Sequence, residues 1–303
     1  MGTNYFSIKK AFLLLLLLAV SFSFEAQYRG YSRKKTKNSA AEGTLFFYWG
    51  YNRSIYTKST IQFVGQGYDF RLKGVEATDR PTRELSKYFS IRNLTEPQFN
   101  LRVGYNFKNY WAVSLGYDHM KYVMKHNVPY ILSGRINPGV DNVTNWSGNY
   151  GGDTVFTQEQ TFHYENTNGM NYIRAEISRV RPWVKGKGGK FTFSTLTGGS
   201  LGVLFNVNDF TFAGRKDMQT QSVSGFGVSG HLGARFEFFK HFFVQANLAG
   251  GFMMQSRVMI RANDYDSYAR HRFGYGAGEI VMGGLFYIRP KNDCNSCPSW
   301  GKG

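Results

Sequence analysis

Serine, histidine and carboxylate side chains recur on segments of this chain whose residues alternate in character, and such groups serve hydrolysis only within mutual hydrogen-bond reach. By parity, Ser222, Ser224 and His119 fall on the apolar faces of two segments. Those segments are the third and sixth of eight, which are not neighbours in a simple meander, so no catalytic group is expected. His231 falls on the opposite face, and His163 and Glu165 fall in a connection. Metal chemistry has weaker candidates. Asn263-Asp264-Tyr265-Asp266 with His271, and Asp141 with Asp153, offer oxygen donors. An EF-type calcium loop needs a longer acidic series ending in glutamate, so these read as hydrated loops. Cys294 and Cys297 read as a short disulfide in an oxidising compartment. A zinc site would need two further ligands, and the chain has no second cysteine pair. The sequence thus predicts no enzyme, no cofactor and no metal.

A second set of polar residues shares one face. Arg102, Asp118, Arg174, Glu176, His231, Arg235, Gln245, Asn247 and Glu279 all sit opposite apolar neighbours. A proton or ion path is one use for them. A satisfied network filling a narrow barrel is the reading favoured here, because buried charges must be paired and the set is mixed in sign. Two basic stretches, Arg29 to Lys37 and Arg179, Arg181, Lys185, Lys187 and Lys190, are suited to anionic headgroups or a partner protein.

The elements that must position these groups follow from a period of two. Phe99, Leu101, Val103, Tyr105 and Phe107 alternate with Asn100, Arg102, Gly104 and Asn106. Trp111, Val113, Leu115 and Tyr117 repeat the pattern after a tight turn. Phe242, Val244, Ala246, Leu248 and Phe252 oppose Gln245, Asn247, Ala249 and Gly251. Glycines beside isolated charges suit the crowded centre of a narrow barrel rather than the wet face of a sandwich. Eight strands are predicted, at about 44–55, 97–107, 110–125, 169–181, 190–206, 220–238, 241–260 and 272–289. Short connections (108–109, 182–189, 239–240) alternate with longer ones (56–96, 126–168, 207–219, 261–271), as in barrels with short periplasmic turns and long outer loops. Alternation at Thr60 to Phe63 and Tyr68 to Val75 leaves a ten-stranded barrel as the competitor, and Leu45 to Trp49 is aromatic on both faces.

Composition agrees. Aromatic residues make up 17% of the chain, which excludes a disordered polymer. Lys9 and Lys10, then an apolar run with six consecutive leucines, read as a secretory signal over residues 1–26, too short to span as a helix. A basic periplasmic segment (27–43), the barrel (44–289) and a periplasmic tail (290–303) complete the expected organisation. The 37 Lys and Arg against 20 Asp and Glu favour phosphorylated lipids, including lipopolysaccharide, over nucleic acid as partners of an exported chain.

The Ala26-Gln27 junction, the run Tyr48-Trp49-Gly50-Tyr51-Asn52-Arg53 and the run Gly67-Tyr68-Asp69-Phe70 resemble those of small outer-membrane β-barrels of Bacteroidota-type bacteria. That resemblance implies a transmembrane, antiparallel up-and-down barrel. It also implies an accessory role in an outer-membrane assembly or secretion complex beside other outer-membrane proteins. Two alternatives stand beside it: a narrow solute- or ligand-binding barrel, and a lipid-modifying enzyme.

Overall fold

The computed structural model describes residues 42–82, 97–108, 110–187 and 190–288. The signal segment, the basic stretch from Arg29 to Lys37, the tail from 290 and both cysteines lie outside them. The described residues hold thirteen strands and no helix long enough to cross a membrane. Their ranges are β1 Thr44–Tyr56, β2 Ser59–Gly65, β3 Tyr68–Val75, β4 Ala77–Thr78, β5 Phe99–Lys108, β6 Trp111–Met124, β7 Pro129–Ile136, β8 Gly148–Phe156, β9 His163–Lys185, β10 Phe191–Phe212, β11 Arg215–Phe238, β12 Phe242–Met259 and β13 Tyr268–Tyr287.

Eight of these close a barrel in the order β1-β5-β6-β9-β10-β11-β12-β13, with β13 pairing back onto β1 from Thr44↔Tyr287 to Tyr56↔Tyr275. All pairs are antiparallel and each strand neighbours the next, an up-and-down meander. The eight-stranded expectation holds. The ten-stranded alternative fails because the β2–β3 hairpin does not enter the wall. Instead β2 adds onto the far end of β13 at Tyr268↔Val64 to Arg270↔Gln62, and β3, β7 and β8 extend the sheet from there. Strands β9 to β11 also run well beyond the predicted ends at 169, 206 and 220, so the long-connection end of the barrel carries a folded head.

The wall alternates as its sequence does, but the apolar side faces out. Leu248 and Ile280 are each 68% exposed, whereas Asn247 and Glu279, their chain neighbours, are 5% and 4% exposed. On β1, whose orientation the sequence left blurred, Leu45 and Phe47 point out while Phe46 and Tyr48 point in. Inward glycines make the fit possible: a Cβ at Gly116 would lie 2.5 Å from Arg102 Nε, and one at Gly104 would lie 2.2 Å from the Phe46 ring.

Two apolar clusters bracket the lumen. At the short-turn end, Phe46, Tyr48, Ala112, Phe243, Val281 and Leu285 pack together. In the head, Phe63 is fully buried and its ring lies 5.2–5.6 Å from those of Phe70, Phe162, Tyr164 and Phe210. Phe70 and Tyr68 reach Phe212, and Trp146 reaches Phe162. Strands β2 and β3 therefore fold across and press their apolar face on the extended β9 and β10. The described parts of the two long connections pack as a roof.

Candidate functional site

The inward polar side chains form one connected network between these clusters. Arg102, fully buried, donates from Nη1 and Nη2 to Asp118 Oδ1 and Oδ2 at 2.5 and 3.0 Å. Arg174 Nε stands 3.0 Å from the same carboxylate. Glu176 stands 3.5 Å from Arg102 and 3.7 Å from Arg174, and His231 Nε2 lies 3.7 Å from its Oε1. From Asp118 the network continues through Asn100 Nδ2, which donates to Asp118 Oδ1 at 2.5 Å and to Glu279 Oε1 at 3.3 Å. Asn247 Nδ2 donates to Glu279 Oε2 at 2.9 Å, Gln245 Nε2 to Asn247 Oδ1 at 2.8 Å, and Arg235 Nε to Gln245 Oε1 at 2.7 Å. Arg235 then stacks its guanidinium 4.2 Å from the centre of the Phe243 ring and joins the short-turn plug.

Among the described residues the lumen thus holds, in series, an aromatic plug, a charged middle layer and an aromatic roof. All nine polar residues singled out from the sequence lie in this middle layer. The sequence reading placed Asn100 and Ser229 on the inward face without singling them out and did not name Ser200; the two serines receive Arg174 Nη1 at 3.1 (Ser200) and 2.8 Å (Ser229). Their inward parity was the available signal. It also missed the plug, since Phe46, Tyr48 and Phe243 break the rule that inward residues are polar or small.

The hydrolytic candidates are separated and otherwise engaged. His119 is buried against the Phe99 ring, and its Nδ1 lies 2.8 Å from Asn171 Oδ1. Ser224 corrects the parity argument. A register shift between Leu204 and Phe205 turns Ser224 inward, fully buried, with its hydroxyl donating to the Leu204 carbonyl, and leaves Val223 facing out. The Ser222 hydroxyl accepts the Met259 N–H. None of these side chains touches another.

The loop candidates are structural in their contacts. Asp141 receives the amides of Val143, Thr144 and Trp146 and the Thr144 hydroxyl. Burial works against its charge, but these donors hold its carboxyl below the usual range. Asp264 caps the amide of Asp266 and the Ser267 hydroxyl in the same way, whereas Asp153 lies exposed in β8. His271 is not beside that loop's carboxylates: it points inward, with Nε2 2.5 Å from Gln255 Oε1. Among the described residues no group of three His, Cys, Asp or Glu is arranged to hold a metal.

His163 and Glu165 belong to a clamp. His126 Nε2 lies 2.8 Å from His163 Nδ1, His163 Nε2 lies 3.1 Å from Glu165 Oε2, and Arg80 Nη1 donates to the same oxygen at 3.0 Å. Thr157, bonded to His126 Nδ1 at 3.1 Å, is fully buried. The clamp ties both ends of the β7–β8 excursion to the segment after β4.

No protein-family model and no curated protein matches this chain. Among solved structures, it is similar to the outer membrane protein OprG from Pseudomonas aeruginosa, with 11% identity, 82% of this chain and 98% of that chain covered, and a TM-score of 0.38. It is similar to Ail, the attachment invasion locus protein of Yersinia pestis, with 13% identity, 81% and 99% covered, and a TM-score of 0.31. Neisserial surface protein A gives 7% identity, 82% and 98% covered, and a TM-score of 0.31. At such distances the fold assignment stands on this chain's own strand pairing: the protein is a closed, eight-stranded, antiparallel β-barrel with a folded head at one end.

Proposed function

We propose that this chain is a non-enzymatic integral outer-membrane protein that acts by binding, as an accessory subunit of a larger outer-membrane complex. In this reading the export signal (1–26) is removed, the short turns and both termini lie in the periplasm, and the head lies outside. An apolar exterior supports the membrane location. On β11 the outward residues run from Phe226 to Phe238 with no charge among them. Twelve steps of about 3.3 Å at the roughly 45° tilt usual for such strands give about 28 Å, close to the apolar band of ~25 Å that outer-membrane barrels present. Soluble monomers rarely expose so large a contiguous apolar surface.

The filled lumen carries the functional part of the reading. A plug, an ion-pair layer and a roof in series argue against transport through the centre and in favour of a head that acts by binding. Strand β8 adds support, since among the described residues it pairs only with β7, and an open sheet edge is a ready template for a partner strand. Extraction in mild detergent followed by affinity isolation and crosslinking tests this: a second outer-membrane protein should accompany the chain in near-stoichiometric amount. Recovery as a monomer at every detergent strength would overturn the accessory role.

A further inference from the structure

Where β1 passes into β2, the sheet splays. Strand β2 pairs with β13 only from Arg270 to Tyr268, while β13 continues towards β1, which it rejoins at Thr57 N–H to Gly274 O. The splay opens a cleft of about 900 Å³ on the outside of the barrel. Lys58, Arg71, Lys73, Arg270 and Arg272 line it, and no carboxylate does. Lys58 is held by Glu76 at 2.6 Å and Arg270 Nε donates to Gln62 Oε1 at 2.9 Å. Among the described residues no carboxylate pairs with Arg71, Lys73, Arg270 or Arg272. These four cations without a carboxylate partner attract a polyanion, and guanidinium forks suit phosphate oxygens.

The surface below the cleft is equally particular. Gly274, Gly276 and Gly278 follow Arg272 on the outward side of β13. Across the sheet Gly276 pairs with Gly250, Gly250 with Gly230, and Gly230 with Gly199. Inward glycines of this wall are required by packing, since a Cβ at Gly251 would lie 2.3 Å from the Val228 carbonyl oxygen. Most of the outward ones are not. A Cβ at Gly278 meets nothing within 4 Å, and those at Gly199, Gly230, Gly250 and Gly276 meet nothing nearer than 3.4 Å; Gly274 alone is covered, its Cβ lying 3.1 Å from Thr57 Cγ2. Below Thr57, bare backbone therefore floors a trough between Ile55 of β1 and Leu248 of β12, running from the cation end into the apolar belt.

We propose that the cleft and trough together form a binding site for a phosphate-bearing lipid, whose phosphates engage Arg270, Arg272 and their neighbours while an acyl chain lies along the glycines. This rests on the membrane-spanning reading of the preceding subsection and adds to it a ligand class and a place.

The test uses the mature chain in detergent, with native mass spectrometry to count bound lipid. The probes are a bisphosphorylated, multiply acylated disaccharide lipid, its dephosphorylated form, and inorganic pyrophosphate. The phosphorylated lipid should bind in one retained copy, and the R270Q/R272Q double variant should weaken it by roughly tenfold, as expected for loss of charge-assisted hydrogen bonds. Gly278→Leu should weaken the lipid while leaving pyrophosphate binding unchanged, and Lys216→Gln, on the head away from the cleft, should change neither. Equal retention of the dephosphorylated lipid, or full competition by pyrophosphate with no effect of Gly278→Leu, would overturn the lipid site. Flotation with lipid vesicles separates the two readings. A wild-type chain that floats yet fails to discriminate phosphate sinks only this site, whereas one that stays in the aqueous fraction sinks the membrane reading itself. Circular dichroism and heat-modifiable gel mobility confirm that each variant is folded.

Discussion

Replacing Asp118 by Ala removes the carboxylate on which two buried guanidiniums converge, Arg102 at 2.5 Å and Arg174 at 3.0 Å. As charged partners Arg102 would keep only Glu176, at 3.5 Å, and Arg174 only Glu176 and Glu279, at 3.7 and 3.8 Å. With every partner at most 6% exposed, breaking such a pair from one side costs about 3–5 kcal/mol, because an uncompensated charge stays in a poorly solvated site. In a water-filled lumen the same pair would contribute no more than about 1 kcal/mol. The two cases are therefore separable. Reversible urea unfolding of the barrel in lipid vesicles, followed by tryptophan fluorescence, should show the midpoint of Asp118→Ala lowered by roughly 1–2 M, taking a slope near the upper end of ~1–3 kcal/mol/M. Asp118→Asn, which keeps an acceptor for Arg102, should fall between. A midpoint for Asp118→Ala within about 0.3 M of wild type, a shift worth under ~1 kcal/mol at that slope, would refute the closed interior.

Three further outcomes follow from the same packing. In planar bilayers the wild-type chain should give no steady open current, and a stable conductance would contradict the plug of Phe46, Tyr48 and Phe243. Phe63→Ala should cost about 3–5 kcal/mol locally, as for other buried aromatic truncations, seen as rapid protease nicking in the head with the barrel core still protected. The His126–His163 clamp should loosen in acid. Burial, and then the neighbouring His163, hold His126 below the ordinary imidazole value of 6.5, so the folded state favours the neutral ring. Its contribution is complete above that value and is lost as pH falls below it, because the unfolded chain takes up the proton first. Protection of the β7 and β8 amides, taken relative to their intrinsic base-catalysed exchange, should fall between about pH 7.5 and 5.5 and lose that dependence in His126→Gln. Protection independent of pH in the wild type would count against the clamp.

Much of the barrel could be read from alternation because each wall strand has one face towards apolar surroundings and one towards a crowded centre. Leu248 beside Asn247 and Ile280 beside Glu279 carry that signal locally. Three features were not legible. Parity fails across a bulge, and the shift at Phe205 reversed Ser224 without any mark in composition. The plug hides because Phe46 and Tyr48 flank Phe47, so aromatic residues occupy both faces of β1 and period two has nothing to distinguish. The head hides because its core joins residues as far apart as Phe63, Trp146 and Phe212, whose contacts exist only once β2 and β3 cross over β10. Strand β8 has almost no apolar pattern of its own and is held by backbone pairing to β7. The cation cleft is of the same kind, since Arg71 and Arg272 meet only through the splay of β2 from β13.

The central claim is the direction of the side chains, and paired cysteine probes on β12 test it most directly. With the protein in vesicles, a nitroxide at Leu248→Cys should show high contact with dissolved oxygen and low contact with a water-soluble nickel chelate. Ala249→Cys, one residue on and facing the filled centre, should resist labelling until the barrel unfolds. Nickel contact at position 248 with ready labelling at 249 in the folded protein would contradict an apolar wall facing lipid around a closed polar interior.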